Sequence, residues 1–202
     1  VLFGFNVDGD FGHLGDLIGG LQDASAASAG GLPLFVAIDH EGGSVFRFKS
    51  GLTMIPPAST VGRQGPAFAR GYGLAAGREL SALGINLALA PVVEVHREDN
   101  KAFLGSRSYG ADPKVVDGAA GAYLQGLQVS GVAATAKHFP GNTGIDPHRG
   151  LPRLDASPTD LRRVYLDRFA SAISRGVGFV LLSHALVPAL DPNHPVTVSK
   201  LA

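Results

Sequence analysis

Short apolar runs recur along this chain between longer amphipathic stretches, and that alternation restricts the fold more than any other feature. Residues 1–5, 34–38, 85–90, 132–136 and 179–183 read as strands buried on both faces. Helix candidates fill the intervals at 12–28, 66–83, 113–130 and 158–175. The last is the best delimited: Ser157 suits the N-cap, Pro158 the first turn, Asp160 the capping-box position and Gly176 the C-terminal stop. Its Leu161, Val164, Tyr165, Leu166, Phe169, Ala172 and Ile173 form a core-facing stripe. The start at Asp112-Pro113 is built in the same way. Strand and helix alternating like this predict a parallel sheet. Chemistry-bearing residues at successive strand ends favour a TIM-like (β/α)₈ barrel over an open sheet. No internal repeat or linker is visible, so residues 1–202 are expected to form one α/β domain. A full barrel typically takes about 250 residues; the expectation is about the first six β/α units, incomplete at the C-terminus.

Residues 137–152 read Lys-His-Phe-Pro-Gly-Asn-Thr-Gly-Ile-Asp-Pro-His-Arg-Gly-Leu-Pro, too rich in Gly and Pro for a helix or strand and dense in ionisable side chains. The apolar run at 132–136 places Lys137 and His138 at the C-terminal end of a buried strand, where barrel enzymes keep their active sites. Asp146 and His148 lie two positions apart around Pro147, whose fixed φ stiffens the loop. Their spacing suggests a carboxylate that orients and charges an imidazole for proton transfer.

Charge and composition narrow the function classes. Lys plus Arg and Asp plus Glu are both 17, which leaves no basic surplus to attract nucleic acid. No apolar run approaches membrane-spanning length. With no cysteine there is neither a disulfide framework nor a thiolate zinc site. The seven His are dispersed, and His40-Glu41 lacks the second His of a zinc-protease helix. Gly71-Tyr-Gly-Leu-Ala-Ala-Gly77 lies inside a helical pattern with no preceding strand, so it is not a dinucleotide fingerprint. Neither a metal nor a cofactor is expected. The compartment is taken as cytoplasmic; the chain opens at Val1 without Met, and a leader upstream would make it secreted or lipid-anchored. The sequence leaves the oligomeric state open.

Five segments carry a family resemblance. Lys137-His-Phe-Pro-Gly141 followed by Asp146-Pro-His148 resembles the signature loop of the glycoside hydrolase family 3 β-N-acetylhexosaminidases, usually KHFPGHG and then DSH. Asp39-His-Glu-Gly-Gly-Ser-Val-Phe-Arg-Phe48 is similar to that family's DQEGGRVQRF, and 84–95 to its GINxxxAPVxDV. Leu104-Gly-Ser-Arg-Ser-Tyr-Gly-Ala-Asp-Pro113 is similar to GxRSFGxDP, and Ser183-His184 with Pro188-Ala-Leu-Asp-Pro192 to AH…PALDP. Within these motifs Glu94 replaces Asp, Ser44 replaces Arg, His40 replaces Gln, and Gly141-Asn-Thr-Gly144 replaces Gly-His-Gly.

The resemblance implies a retaining exo-β-N-acetylglucosaminidase that removes terminal N-acetylglucosamine from cell-wall fragments or chitin-type oligosaccharides. A small carbohydrate is then the partner. His148 is implied as the acid and then the base, with Asp146 holding its tautomer. Asp39, Arg47, Arg107, Lys137 and His138 are implied to grip the sugar hydroxyls, and the nucleophilic Asp is expected beyond Ala202. Arg107 also suits that task on its own chemistry, since a planar guanidinium fork matches vicinal hydroxyls and acetamide oxygens. Glu41-Gly42-Gly43 is read as structural, a tight turn needing glycine dihedrals, and His184 reads equally well as a satisfied core histidine. Alternative functions are a glycoside phosphorylase, since His repels phosphate less than a carboxylate does, and a non-catalytic sugar-binding protein. A β-glucosidase of the wider family fits the Asp-Pro-His loop less well.

Overall fold

A computed structural model describes residues 1–7, 10–28 and 30–201. Helix α1 (Phe11–Ala26) leads to strand β1 (Ala37–Ile38) and a small antiparallel hairpin, β2 (His40–Gly42) with β3 (Val45–Phe46). Helices α2 (Ala58–Gln64) and α3 (Pro66–Ala82) follow, then β4 (Leu87–Ala88), the short α4 (Lys101–Leu104), α5 (Pro113–Gln128) and β5 (Ala133–Phe139). The last helical stretch opens as α6 (Pro158–Asp160), runs through a π-helical segment (Leu161–Leu166) and ends as α7 (Asp167–Ser174), before β6 (Phe179–Leu182).

Strands β1, β4, β5 and β6 form one parallel sheet in that order, registered through Ala37 with Leu87, Leu87 with Ala133 and Thr135 with Phe179. Leu2 adds a parallel bridge to Ile38 on the outer side of β1. Sheet neighbours therefore follow chain order, as in a (β/α) barrel and unlike a doubly wound sheet, whose order reverses at a switch point. The fold is α/β of the expected kind. Region 1–5 differs from its expectation: only Leu2 pairs, and Gly4–Asn6 turn into a short 3₁₀ helix capped by the Asn6 side chain.

The helix signals act as read. Asp112 accepts from the Lys114 N–H ahead of Pro113, and the Ser157 hydroxyl accepts from the Asp160 N–H ahead of Pro158. Side chains from α1 (Leu14, Ile18), α3 (Ala76, Leu80), α5 (Val116, Leu124, Leu127) and α7 (Phe169) fill one core against the sheet. A smaller core under the C-terminal segment joins Leu154, Leu161, Tyr165, Ala185, Val187 and Val196.

Helices α3 and α5 cross closely because glycines remove side chains at the contact. A β-carbon on Gly73 would stand 2.2 Å from the Tyr123 carbonyl oxygen, and one on Gly126 2.4 Å from that of Arg70. Gly71 faces open space, with no atom within 4 Å. Gly126→Ala is therefore expected to lower stability by about 1–3 kcal/mol through overpacking. Gly71→Ala is expected to raise it by about 0.5–1 kcal/mol through helix propensity. Urea midpoints of the two variants, moving in opposite directions, check the packing.

Candidate active site

The site grows from the C-terminal ends of β1 and β5. Asp39 follows the fully buried Ile38, and the chain then reverses through the β2–β3 hairpin. That reversal requires glycine: Gly42 (φ 88°) and Gly43 (φ 55°) are left-handed, and a β-carbon on Gly42 would lie 2.6 Å from the Ile55 side chain. The hairpin returns Arg47 to Asp39, Nη2 donating to Oδ2 at 2.8 Å. Lys137, 1% exposed, extends its ammonium from β5 to Asp39 Oδ1 at 2.9 Å and Glu41 Oε1 at 2.6 Å.

Arg107 ends a 3₁₀ turn (Gly105–Arg107) and grips Glu41 with a bidentate fork, both contacts 2.8 Å. Its Nη2 lies 3.4 Å from His138 Nε2. The other ring nitrogen of His138 meets Glu94 Oε1 at 2.7 Å. Phe103 braces both residues: its ring lies 5.0 Å from the Arg107 guanidinium and 5.7 Å from the His138 ring. Asp39, Arg47, Arg107, Lys137 and His138, drawn from four separate segments, are thus one connected cluster.

Burial alone would push the Asp39 carboxyl up, but the Lys137 ammonium, joined by Arg47, outweighs it and holds the group below its ordinary range. Glu41 follows the same pattern: burial opposes ionisation, and the Arg107 fork and Lys137 overcome it. Glu41 is the main residue that sequence reasoning missed. The tight turn is real, yet the carboxylate beside it links Lys137 to Arg107, and its position next to Asp39 in a strand end was the available signal. Glu94 and Phe103 were likewise not assigned a place.

Asp146 and His148 form a pair of their own. The imidazole Nδ1 lies 2.7 Å from Asp146 Oδ1, which also accepts the His148 N–H at 2.9 Å. That backbone N–H first, and then the ring, hold the Asp146 carboxyl below its usual range. The His148 side chain is 86% exposed, and among the described residues no hydrogen bond joins it to the Asp39 cluster. His184 is exposed beside Thr197 rather than in the core. Among the described residues no group of three or more His, Asp or Glu side chains could hold a metal ion, and no helix is long and apolar enough to cross a membrane.

Residues 2–202 match the model of the glycosyl hydrolase family 3 N-terminal domain. The chain belongs to glycosyl hydrolase family 3. It is 35% identical to the β-hexosaminidase A of Pseudoalteromonas piscicida over 97% of its own length and 34% of that protein. With a β-hexosaminidase of Nitrosomonas eutropha it shares 35% identity over 80% of itself and 49% of the relative. It thus spans between a third and a half of these relatives. Among solved family 3 structures, a β-N-acetylglucosaminidase from a Paenibacillus species superposes with a TM-score of 0.91 at 36% identity, covering 98% of this chain and 38% of that one. NagZ from Neisseria gonorrhoeae, in complex with N-trifluoroacetyl-D-glucosamine, gives 0.84 at 31% identity, covering 96% and 58%.

Between the two site carboxylates, where the family usually has Gln, His40 is fully buried against the rings of Phe46 and Phe48. Neither of its ring nitrogens meets a partner among the described residues. Burial, opposed by the charge of Glu79, lowers its pKa from 6.5 to about 4. The unfolded chain therefore binds the proton more tightly, so stability falls as pH drops from 6.5 toward 4, by on the order of 3 kcal/mol at the acid end. His40→Gln is expected to flatten that part of the stability profile, as measured by urea unfolding at pH 4.5 and 7.

Proposed function

We propose that this chain carries the sugar-binding site and acid/base loop of a retaining exo-β-N-acetylglucosaminidase acting on cell-wall fragments or chitin-type oligosaccharides. The observation that supports it best is the Asp39–Lys137–Glu41–Arg107–His138 cluster at the strand ends, within a family whose matched relatives are β-hexosaminidases. In this reading Asp39 accepts from a sugar hydroxyl while Lys137 and Arg47 keep it ionised. Arg107 and His138 contact neighbouring oxygens. Charge-assisted bonds of this kind tighten as the ring distorts toward an oxocarbenium-like state, so part of their strength lowers the barrier rather than only improving binding.

Asp146 engages Nδ1 of His148 and leaves Nε2 available for proton transfer. The exposed loop must carry this pair over the sugar, where His148 protonates the leaving oxygen and later deprotonates the attacking water. A carboxylate nucleophile outside residues 1–202 forms and releases the glycosyl-enzyme. Using His in place of the second carboxylate departs from the common two-carboxylate scheme.

The test is to incubate full-length protein with chromogenic N-acetylglucosaminide and glucoside, with and without phosphate. Free N-acetylglucosamine with no phosphate requirement supports the reading; a sugar phosphate, preference for the glucoside, or no turnover overturns it. Asp39→Asn is expected to lower kcat/KM by about 10–100-fold, the loss of one or two charge-assisted bonds. For His148→Ala the leaving group decides: a substrate with a poor leaving group should lose about 10²–10⁴-fold while an activated aryl glycoside loses far less. Azide should partly restore turnover of the glycosyl-enzyme. Equal loss on both substrates without rescue removes His148 from the acid/base role.

A further inference from the structure

Glu94 is 3% exposed, and both its oxygens face only donors. Oε1 receives the His138 backbone N–H at 3.2 Å, the His138 ring Nδ1 at 2.7 Å and the Asn142 side-chain amide at 3.1 Å; Oε2 receives the Asn142 backbone N–H at 2.6 Å. One buried carboxylate thus ties the end of β5 to the start of the following loop. Asn142 is itself 1% exposed, and Gly141 between them leaves no room for a β-carbon, which would stand 2.6 Å from the Tyr165 ring. Two of the positions where the motifs differ from their usual form, Glu94 for Asp and Asn142 for His, are in direct contact.

The same contacts decide which His138 nitrogen carries the proton. A carboxylate opposite Nδ1 requires a donor there, whereas the Arg107 guanidinium opposite Nε2 has only donors and requires a lone pair. We propose that Glu94 is the positioning residue of the site, locking the His138 proton on Nδ1 so that the Nε2 lone pair is kept toward Arg107 and the ring and guanidinium are held together where they face the sugar. This rests on the sugar-binding reading above for its consequence, though not for the tautomer itself. Glu94→Gln cannot reproduce the arrangement, because its amide must turn an N–H₂ toward one set of donors.

Histidine-¹⁵N-labelled full-length protein, with His138→Gln to assign the signal, reads the tautomer directly by long-range ¹H–¹⁵N correlation. The expected result is a protonated Nδ1 and bare Nε2 in wild type, and loss of that single tautomer in Glu94→Gln. On chromogenic N-acetylglucosaminide, Glu94→Gln should lose about tenfold or more in kcat/KM, and Glu94→Asp, which keeps the charge, should regain the Nδ1 proton and part of the activity. Asn142→Ala should cost less in the Glu94→Asp background than alone, because the shorter carboxylate has already released it. An unchanged tautomer in Glu94→Gln, or an Nε2 proton in wild type, overturns the proposal. If Glu94→Gln does not fold, the tautomer in the wild type and in Glu94→Asp decides, and an Nε2 proton in either overturns the proposal. A wild type with the Nδ1 tautomer but no hydrolysis leaves this inference standing and removes the proposed function.

Discussion

A buried ammonium organises this molecule. Lys137 has almost no contact with solvent, and taking a charge out of water costs several kcal/mol unless opposite charges meet it at close range. Asp39 and Glu41 do so, and in meeting it they fix the end of β1 and the first strand of the hairpin against β5. The order then propagates. Glu41 holds the Arg107 fork, Arg107 stacks on Phe103 and faces His138, and His138 is anchored by Glu94. Residues nearly a hundred positions apart become neighbours because one lysine cannot be left alone.

Much of this was legible because it depends on local chemistry. The caps at Asp112 and Ser157 act within one helical turn, so the starts of α5 and of the last helical stretch were placed correctly. Apolar runs located all four strands of the parallel sheet, though only two to seven residues of each make ladder pairs. The run at 1–5 misled because apolarity says nothing about pairing beyond Leu2. Helix α2 went unseen: Gly62 and two preceding prolines argue against a helix, yet Gly62 is required there, since a β-carbon would collide with the Tyr109 carbonyl.

The site was harder to read than the fold. Aspartate, lysine and arginine in recognisable motifs announce themselves, whereas the supporting residues do so only in three dimensions. Glu41 was hidden by the glycines after it, whose turn gave a sufficient explanation of the segment. Phe103 is an ordinary apolar residue in a four-residue helix until its ring is seen between Arg107 and His138. Glu94 stood out only as a departure from the usual Asp that could alter subsite contacts, with no partner attached to it. In each case the missing information was a contact across at least 30 residues, which neither periodicity nor composition encodes.

The cluster is also electrically closed. Arg47, Arg107 and Lys137 meet Asp39 and Glu41 directly, and a third carboxylate, Glu94, stands behind the His138 ring that faces Arg107, so three cations are set against three carboxylates. At such spacings the charges satisfy one another well inside a Debye length of about 8 Å in physiological salt. Little net field then reaches the mouth of the site. Capture of a molecule there gains nothing from long-range steering and loses little when buffer ions are added. If the proposed sugar-binding role holds, what remains for recognition is the pattern of donors and acceptors, a code suited to telling apart uncharged molecules that differ only in where their hydroxyls point.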